Sequence, residues 1–445
     1  MSDAGVPQRA IDVFSAFYAQ LEEGGTGMIP ESSVDPLVDI DHAGAIELSD
    51  EECRAAAAVT AVIKLNGGLG TSMGLDRAKT LLPVRPDLNF LDVIAGQVLT
   101  LREQIGVRLP LLFMNSFRTR DDTLAALAKY DDLAVDGLPI DFLQNREPKL
   151  RADDLSPVDW PADPSLEWCP PGHGDLYTAL EVSGILDALL DAGFRYATVS
   201  NADNLGAAPD PAMMGWFAAS GAPYAAEVCR RTPADVKGGH IVVRKSDGRL
   251  VLRETAQTPD DDAAAAADPE RHRYFHTNNL WFDLEVMKRT LTERDGILGL
   301  PLIRNAKTVD PTDKTSTPVI QIESAMGAAV EVFDGATAIE VDRSRFLPVK
   351  TTNDLLVLQS DVYELGSDYR LRTSGEAPLV DLDKRFYASI ADFDSRLPAP
   401  PSLADARSLT VQGDWRFGRD VVVRGDVTLD DTGTAESVAA GSTLG

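Results

Sequence analysis

From Val59 onward, short apolar runs alternate with stretches of helical period, and this alternation constrains the fold more than any other feature. Val59 to Leu65 is a β-branched, apolar run ending in Gly67 and Gly68, the pattern of a buried strand. Leu91, Ile94, Ala95, Val98, Leu101 and Ile105 then recur at helical spacing, with Gly106 where a C-terminal cap belongs. Leu109 to Met114 reads as the next strand, a helix runs through Leu124 and Leu127, and Ile140 to Leu143 reads as a third strand. A helix carrying Leu186 and Leu189, stopped at Gly193, leads into a strand from Arg195 to Ser200. Elements of these lengths in this order predict an α/β fold around a doubly wound, mixed but mostly parallel sheet.

In such sheets ligands bind outside the carboxyl ends of the strands, where the loops lead toward helix N-termini. The unusual polar segments fall at those ends: NGGLGTSMG after the first strand, NSF after the second, QNREPK after the third and NADN after the fourth. Loops leaving one rim toward one crevice make a site.

The rest of the chain is less regular. Residues 1–55 read as a helical and irregular segment, with a short amphipathic helix (Ile11, Phe14, Phe17, Leu21) and then a stretch rich in Gly, Pro and acids. Residues 56–398 form the main domain. Asp260 to Asp268, DDDAAAAAD, is low-complexity and reads equally as a mobile loop or a helix of alanines. Past Leu397 the run PAPPS marks a boundary, and residues 399–445 give short β-like pieces broken by Gly and Asp. That spacing suggests a few coils of a β-helix or a small β-sandwich.

The 445 residues allow one large domain plus a smaller one. With 70 acids against 42 lysines and arginines, the net charge of −28 repels nucleic acid and anionic lipid. No apolar run is long enough for a membrane span, and the N-terminus lacks the pattern of a secretory signal. Cys53, Cys169 and Cys229 are far apart and odd in number, which fits a reducing, cytoplasmic setting and no structural zinc.

Gly67, Gly68, Gly70 and Gly74 permit unusual backbone angles and let a ligand approach main-chain N–H groups. Thr71 and Ser72 add hydroxyls, and Lys79 follows. The spacing is neither the GK[ST] of a Walker loop nor the GxGxxG of dinucleotide binders. A glycine loop alone is equally the mark of a tight strand-to-helix turn. Joined to Lys79 and the other rim loops, it points to phosphate.

The stretch KLNGGLGTSMGLDRAKTLLPV resembles the signature of the eukaryotic-type UTP–glucose-1-phosphate uridylyltransferase family. The resemblance continues in order through LLFMNSFRT, CPPGHGDLYTAL, SNADNLGA, ADVKGGHIV, RETAQTP, FHTNNLW, QIESAMGAAVEVFDGA and SRFLPVKTTNDLL. It implies a Rossmann-like nucleotidyltransferase domain and a small C-terminal β-helix domain, through which a homo-oligomer could form. It also implies a reaction of UTP with glucose 1-phosphate that yields UDP-glucose and pyrophosphate with Mg2+ as cofactor, and no nucleic-acid or membrane partner. The chain carries no evident nucleophile-and-base pair, as expected where positioning and charge do most of the work.

The resemblance also implies roles. Leu65, Asn66, Gly67, Gly68, Gly70 and Thr71 would hold the triphosphate, with Lys79, Lys350 and Lys237 as catalytic cations. Gln144, whose amide offers a paired donor and acceptor, would read uracil beside Gly172. His173, Asn201, Gly239, Glu254 and Asn278 would bind the sugar phosphate. Asp203 would hold magnesium, although just past a strand it also suits a turn or N-cap.

Departures from the family pattern bear on fine specificity. Asp76 brings negative charge near the phosphates, Arg146 and Glu147 replace uncharged or aromatic residues, His240 stands for threonine, and Asn353 for serine. The rival within the enzyme class is a UDP-N-acetylhexosamine or broad UDP-sugar pyrophosphorylase. Those relatives carry an arginine after the loop threonine, where this chain has Ser72 and Met73. A silent UDP-sugar-binding scaffold is the reading outside that class.

Overall fold

The computed structural model describes residues 1–445 except Thr26, Pro233, Ala234, Val236, Lys237 and Ser374, together with the side chain of Ser72. At its centre lies an eight-stranded sheet. Along the chain its strands are β1 (Asp41–His42), β2 (Thr60–Asn66), β3 (Leu111–Asn115), β4 (Asp141–Leu143), β5 (Tyr196–Asn201), β6 (Tyr224–Arg230), β7 (Tyr274–Asp283) and β8 (Thr337–Glu340). Their spatial order is β1-β8-β6-β7-β5-β2-β3-β4. Only β7 runs against its neighbours β6 and β5; the other pairs are parallel. The mixed, mostly parallel sheet is the one the alternation predicts.

The side-chain period of two explains the layers. Every residue of β2 is buried, so both sheet faces need cover. Val62, Leu111 and Phe113 enter one core, whereas Ala61, Ile63, Leu65, Leu112 and Met114 enter the other. The helix Phe90–Ile105 covers the first face. It opens with a reciprocal cap between Asn89 and Asp92 and stops at Gly106, whose φ of 64° is left-handed. The helices Leu176–Val182 and Ile185–Asp191 cover the second face.

The N-terminal segment joins this body. Its helix, Gln8–Glu22, buries Phe17 and Leu21 in the second core. Val34–Pro36 pairs antiparallel with residues 242–244, and β1 adds an edge to the central sheet beside β8. Hydrophobic period marked the helix, but strands of two and three residues are too short to show any. In the acidic alanine stretch, Asp260–Asp262 forms a 3-10 turn and Ala263–Ala267 a helix.

Toward the C-terminus, Leu379–Leu382, Ser402–Val411, Val422–Leu429 and Thr443–Leu444 make a four-stranded sheet, parallel throughout. Trp415–Phe417 pairs parallel with Glu436–Val438. Ser402 sits beside Val422, and Val422 beside Thr443. Leu403, Leu409, Phe417, Val423 and Val438 turn inward to continue the first core. All three cysteines are free. Among the described residues, no helix is long and apolar enough to cross a membrane.

Candidate active site

The parallel register brings the strand ends level. Asn66 of β2 lies beside Asn115 of β3, Asn115 beside Leu143 of β4, and Leu65 beside Asn201 of β5. The polar loops therefore leave from one rim, as the sequence pattern predicts.

The glycine loop closes on itself. Gly70 is left-handed at φ 64°, and its carbonyl accepts the Met73 N–H at 2.8 Å. A Cβ on Gly67 would lie 2.8 Å from the Gln144 amide, and one on Gly70 would lie 3.3 Å from the Lys79 stem. Around Gly68 the same position meets nothing within 4 Å, so one side of the loop is open to a ligand. Thr71 begins the short 3-10 turn Thr71–Met73. The Lys79 N–H donates to the Gly68 carbonyl at 3.3 Å. Its ammonium crosses the rim to Asp203 Oδ2 at 2.6 Å.

Two residues assigned to the nucleotide have their side chains turned inward. Asn66 donates to Asn115 Oδ1 at 2.9 Å and Thr123 Oγ1 at 2.8 Å, and accepts from the Thr80 hydroxyl at 2.8 Å. Its carboxamide is spent, because a buried amide must satisfy its hydrogen-bonding groups wherever partners lie. The Leu65 side chain is core, and its carbonyl accepts from Ala202 N–H at 2.9 Å. Both anchor the loop from beneath.

The loops that carry Gln144 and Gly172 are locked to one another. Gln144 N–H donates to the Asn115 carbonyl at 2.8 Å. Asn145 donates to Asp175 through its backbone at 2.5 Å and its side chain at 2.8 Å. Burial raises the Asp175 carboxyl to about 7 against these hydrogen bonds. Gly172 is left-handed at φ 77°, and a Cβ there would meet the Ser324 carbonyl at 2.7 Å. Ser324 O accepts from Gly174 N–H at 2.8 Å, and Ser324 N–H donates to Pro171 O at 3.1 Å. His173 accepts the Met326 N–H on Nδ1 at 3.0 Å. Burial pushes its pKa down to about 4, so at neutral pH the proton sits on Nε2 and is available to donate.

On the opposite flank a Cβ on Gly239 would lie 2.8 Å from Glu254 Oε1. Burial raises the pKa of Glu254, and the charge of Lys350 partly offsets this. Asn278 adopts a left-handed φ of 58°, and its Oδ1 is buried with no hydrogen-bond partner. Asn201 ends β5, its carbonyl accepting from Asn204 N–H at 3.1 Å. Lys237 lies outside the described residues. Nearby, Asp235 pairs with Arg343 at 2.5 Å.

Lys350 is exposed, and the backbone on either side of it is held. Its N–H donates to Asp354 Oδ2 at 2.8 Å, at the start of the helix Thr352–Gln359. Val349 N–H donates to the Asp203 carbonyl at 3.2 Å, and Leu347 N–H to Asn204 Oδ1 at 2.8 Å. Beneath lies a buried knot that sequence reasoning missed. Glu227 accepts from Arg345 at 2.7 and 2.8 Å, from Asn279 at 2.9 Å and from the Trp281 indole at 2.9 Å. Burial alone would raise the Glu227 pKa, but Arg345 and these donors hold it below the ordinary value. The signal was present: an acid inside the apolar strand YAAEVCR needs a buried partner.

Among the described residues, no cluster of three or more His, Cys, Asp or Glu side chains is arranged to hold a metal. Asp203 keeps one oxygen for Lys79, and its Oδ1 is buried without a partner.

Comparison with known proteins places the whole chain. A family model described as UTP–glucose-1-phosphate uridylyltransferase matches residues 11–424. The chain is 42% identical to the protein of that name from Astragalus penduliflorus, over 83% of this chain and 77% of the relative. It is 40% identical to the one from Saccharomyces cerevisiae, over 83% of this chain and 73% of the relative. The crystal structure of UDP-glucose phosphorylase from Trypanosoma brucei superposes with a TM-score of 0.94 at 42% identity, covering 100% of this chain and 96% of that one. A UDP-glucose pyrophosphorylase mutant from Leishmania major in complex with UDP-glucose gives 0.92 at 40% identity, with coverage of 100% and 96%. By that match and these identities, the chain belongs to the UTP–glucose-1-phosphate uridylyltransferase family.

Proposed function

We propose that the protein transfers the uridylyl group of UTP to glucose 1-phosphate, giving UDP-glucose and pyrophosphate. A phosphate oxygen of glucose 1-phosphate forms a bond to the α-phosphorus. The bond from that phosphorus to the bridging oxygen breaks, and its electron pair leaves on pyrophosphate. The observation that carries this reading is the Lys79–Asp203 contact of 2.6 Å, which ties a cation to the rim while its stem packs against Gly70 of the glycine loop.

Gly67, Gly68, Gly70 and Thr71 cradle the triphosphate, on a floor set by Leu65 and Asn66. Gln144 and Gly172 read uracil. His173 donates from Nε2 to a substrate phosphate, while Asn201, Gly239, Glu254 and Asn278 receive the sugar. Lys79, Lys350 and Lys237 neutralise charge as it moves toward the leaving group. Asp203, with its unpartnered Oδ1, would hold Mg2+, since one carboxylate plus phosphate oxygens is a common magnesium environment. The ion, when bound, supplies positive charge to the phosphates.

Residues 56–398 form the catalytic domain in this reading, after an N-terminal segment of residues 1–55. The parallel ladders of 399–445 are the coils of a β-helix whose last strand offers an edge for self-association. The setting is cytoplasmic. The test is pyrophosphate release from UTP with a panel of sugar 1-phosphates, with and without magnesium. Glucose 1-phosphate is expected to give the highest kcat/KM. Preference for N-acetylglucosamine 1-phosphate would favour the hexosamine reading, and UDP-glucose binding without turnover would favour a silent scaffold.

A further inference from the structure

The proposed reaction gives the N-terminal segment no task, yet this segment grips the flank that carries two of the proposed sugar contacts. Gly239 and Glu254 stand at the open end of a hairpin whose strands are His240–Arg244 and Leu250–Arg253, with His240 directly opposite Arg253. Residues 29–36 lie along this hairpin. Val34 pairs with Arg244 and packs with Val242 and Val251 in a small core beside Ile29. The Ile29 N–H donates to the Gln257 carbonyl at 2.7 Å, and Gln257 Oε1 accepts the Glu254 N–H at 3.1 Å.

Glu31 is the centre of this grip. Its buried carboxylate pairs with Arg253, with Arg271 Nε at 2.6 Å and with His272 Nε2 at 3.0 Å. Its own N–H donates to Asp262 Oδ2 at 2.8 Å. Burial would raise the Glu31 pKa, but hydrogen bonds from Arg253 and His272 hold it below the ordinary value, so it is charged at neutral pH. The Arg253 side chain has no exposed surface. Among the described residues its Nε and Nη2 lack a hydrogen-bond partner, and Asp262 stands 3.6 Å from Nη2. A buried guanidinium is costly without its counter-charge, so Arg253 stays where Glu31 holds it. Glu31 thereby reaches both sides of the hairpin mouth. Arg253 directly precedes Glu254, and the ring of His272 lies 4.6 Å from that of His240, which directly follows Gly239.

We propose that Glu31 is a positioning residue for the sugar-phosphate side of the site: through Arg253 and His272 it fixes Glu254 against Gly239, and so sets the affinity for glucose 1-phosphate. The inference rests on the sugar contacts proposed for Gly239 and Glu254.

The test is steady-state kinetics on the full chain with UTP, glucose 1-phosphate and magnesium. Glu31→Gln should raise the KM for glucose 1-phosphate about tenfold, with the KM for UTP and kcat each within about twofold of the parent. Asp262→Ala, which removes the acceptor of the Glu31 N–H, should raise the same KM about threefold. Asp247→Asn breaks the Arg244 pair of 2.9 Å at the far turn of the hairpin and should move neither KM. An unchanged KM for glucose 1-phosphate in Glu31→Gln, or an equal rise in both KM values, would overturn the inference. So would a rise in Asp247→Asn as large as that in Glu31→Gln, which would mean general loosening of the hairpin. Should Glu31→Gln not fold, Asp262→Ala decides by the same split. Glu254→Gln is measured beside them. If it leaves the KM for glucose 1-phosphate unchanged, the sugar assignment fails and this inference with it; if it raises that KM while Glu31→Gln does not, the role of Glu31 alone fails.

Discussion

The glycine loop and the Glu227–Arg345 knot flank the same crevice and hold their residues by different means. In the loop, the space beside Gly68 is open, and Lys79 is steadied by a single partly exposed ion pair with 14% and 23% side-chain exposure. In the knot, a fully buried carboxylate is satisfied on every side, and Lys350 stands in solvent on backbone that the knot supports. Lys64 lies between them, its ammonium bonded to Ser200 Oγ and the Ala207 carbonyl at 2.7 Å each. Burial lowers its pKa to about 7, Arg345 adds to the shift and Glu227 opposes it. The difference teaches where adjustability is kept: the rim cations stay partly or fully exposed, and the charges that fix the scaffold are sealed away.

Breaking the knot tests this contrast most severely. Glu227→Ala leaves Arg345 and the Trp281 indole buried without their acceptor. Urea unfolding should show a loss of about 3–5 kcal/mol. A loss below about 1 kcal/mol would mean the buried pair does not support this flank.

Lys350→Ala sharpens the comparison from the exposed side. We expect kcat to fall ~100-fold or more, with a smaller change in the KM for UTP. Stability should stay within about 0.5 kcal/mol, because the side chain is on the surface. An unchanged kcat would remove Lys350 from the reacting centre.

The smallest effect is a pH dependence at Asp175. Burial raises Asp175 from 3.8 to about 7, so between those values the folded chain keeps a proton that the unfolded chain has lost. That contribution to stability is present at low pH and is lost as pH rises through about 7. His173 and His276, both lowered by burial to about 4, act in the opposite direction, their contribution being lost as pH falls from 6.5 toward 4. Asp175→Asn should therefore gain about 2–3 kcal/mol relative to the parent between pH 5 and pH 8 in urea unfolding. A pH-independent difference would show that Asp175 does not titrate in the fold.

Much of the architecture was legible in local pattern. The apolar run of β2, the helical period of Leu91 to Ile105 and the glycine that stops it needed no knowledge of distant partners. Parallel connection then sends every strand's carboxyl end to one rim, so the polar loops converge by topology alone. The short edge strand β1 and the two-sided fate of Asp260 to Asp268 were not legible, because neither carries a period long enough to read.

What the amino-acid order determined by itself is which of the longer segments are strand or helix, which face of each is apolar, and where the glycine-rich backbone lies. Tertiary structure alone decided that Lys79 meets Asp203, 124 positions away, and that the Asn66 amide turns inward. It also decided that Glu227 and Arg345 seal a charge beneath Asn204, and that Asn278 is held left-handed. The physical reason is range. Periodicity records the burial of each residue against its own element, whereas hydrogen bonds and ion pairs between distant strands exist only after packing brings the groups within about 3 Å of each other.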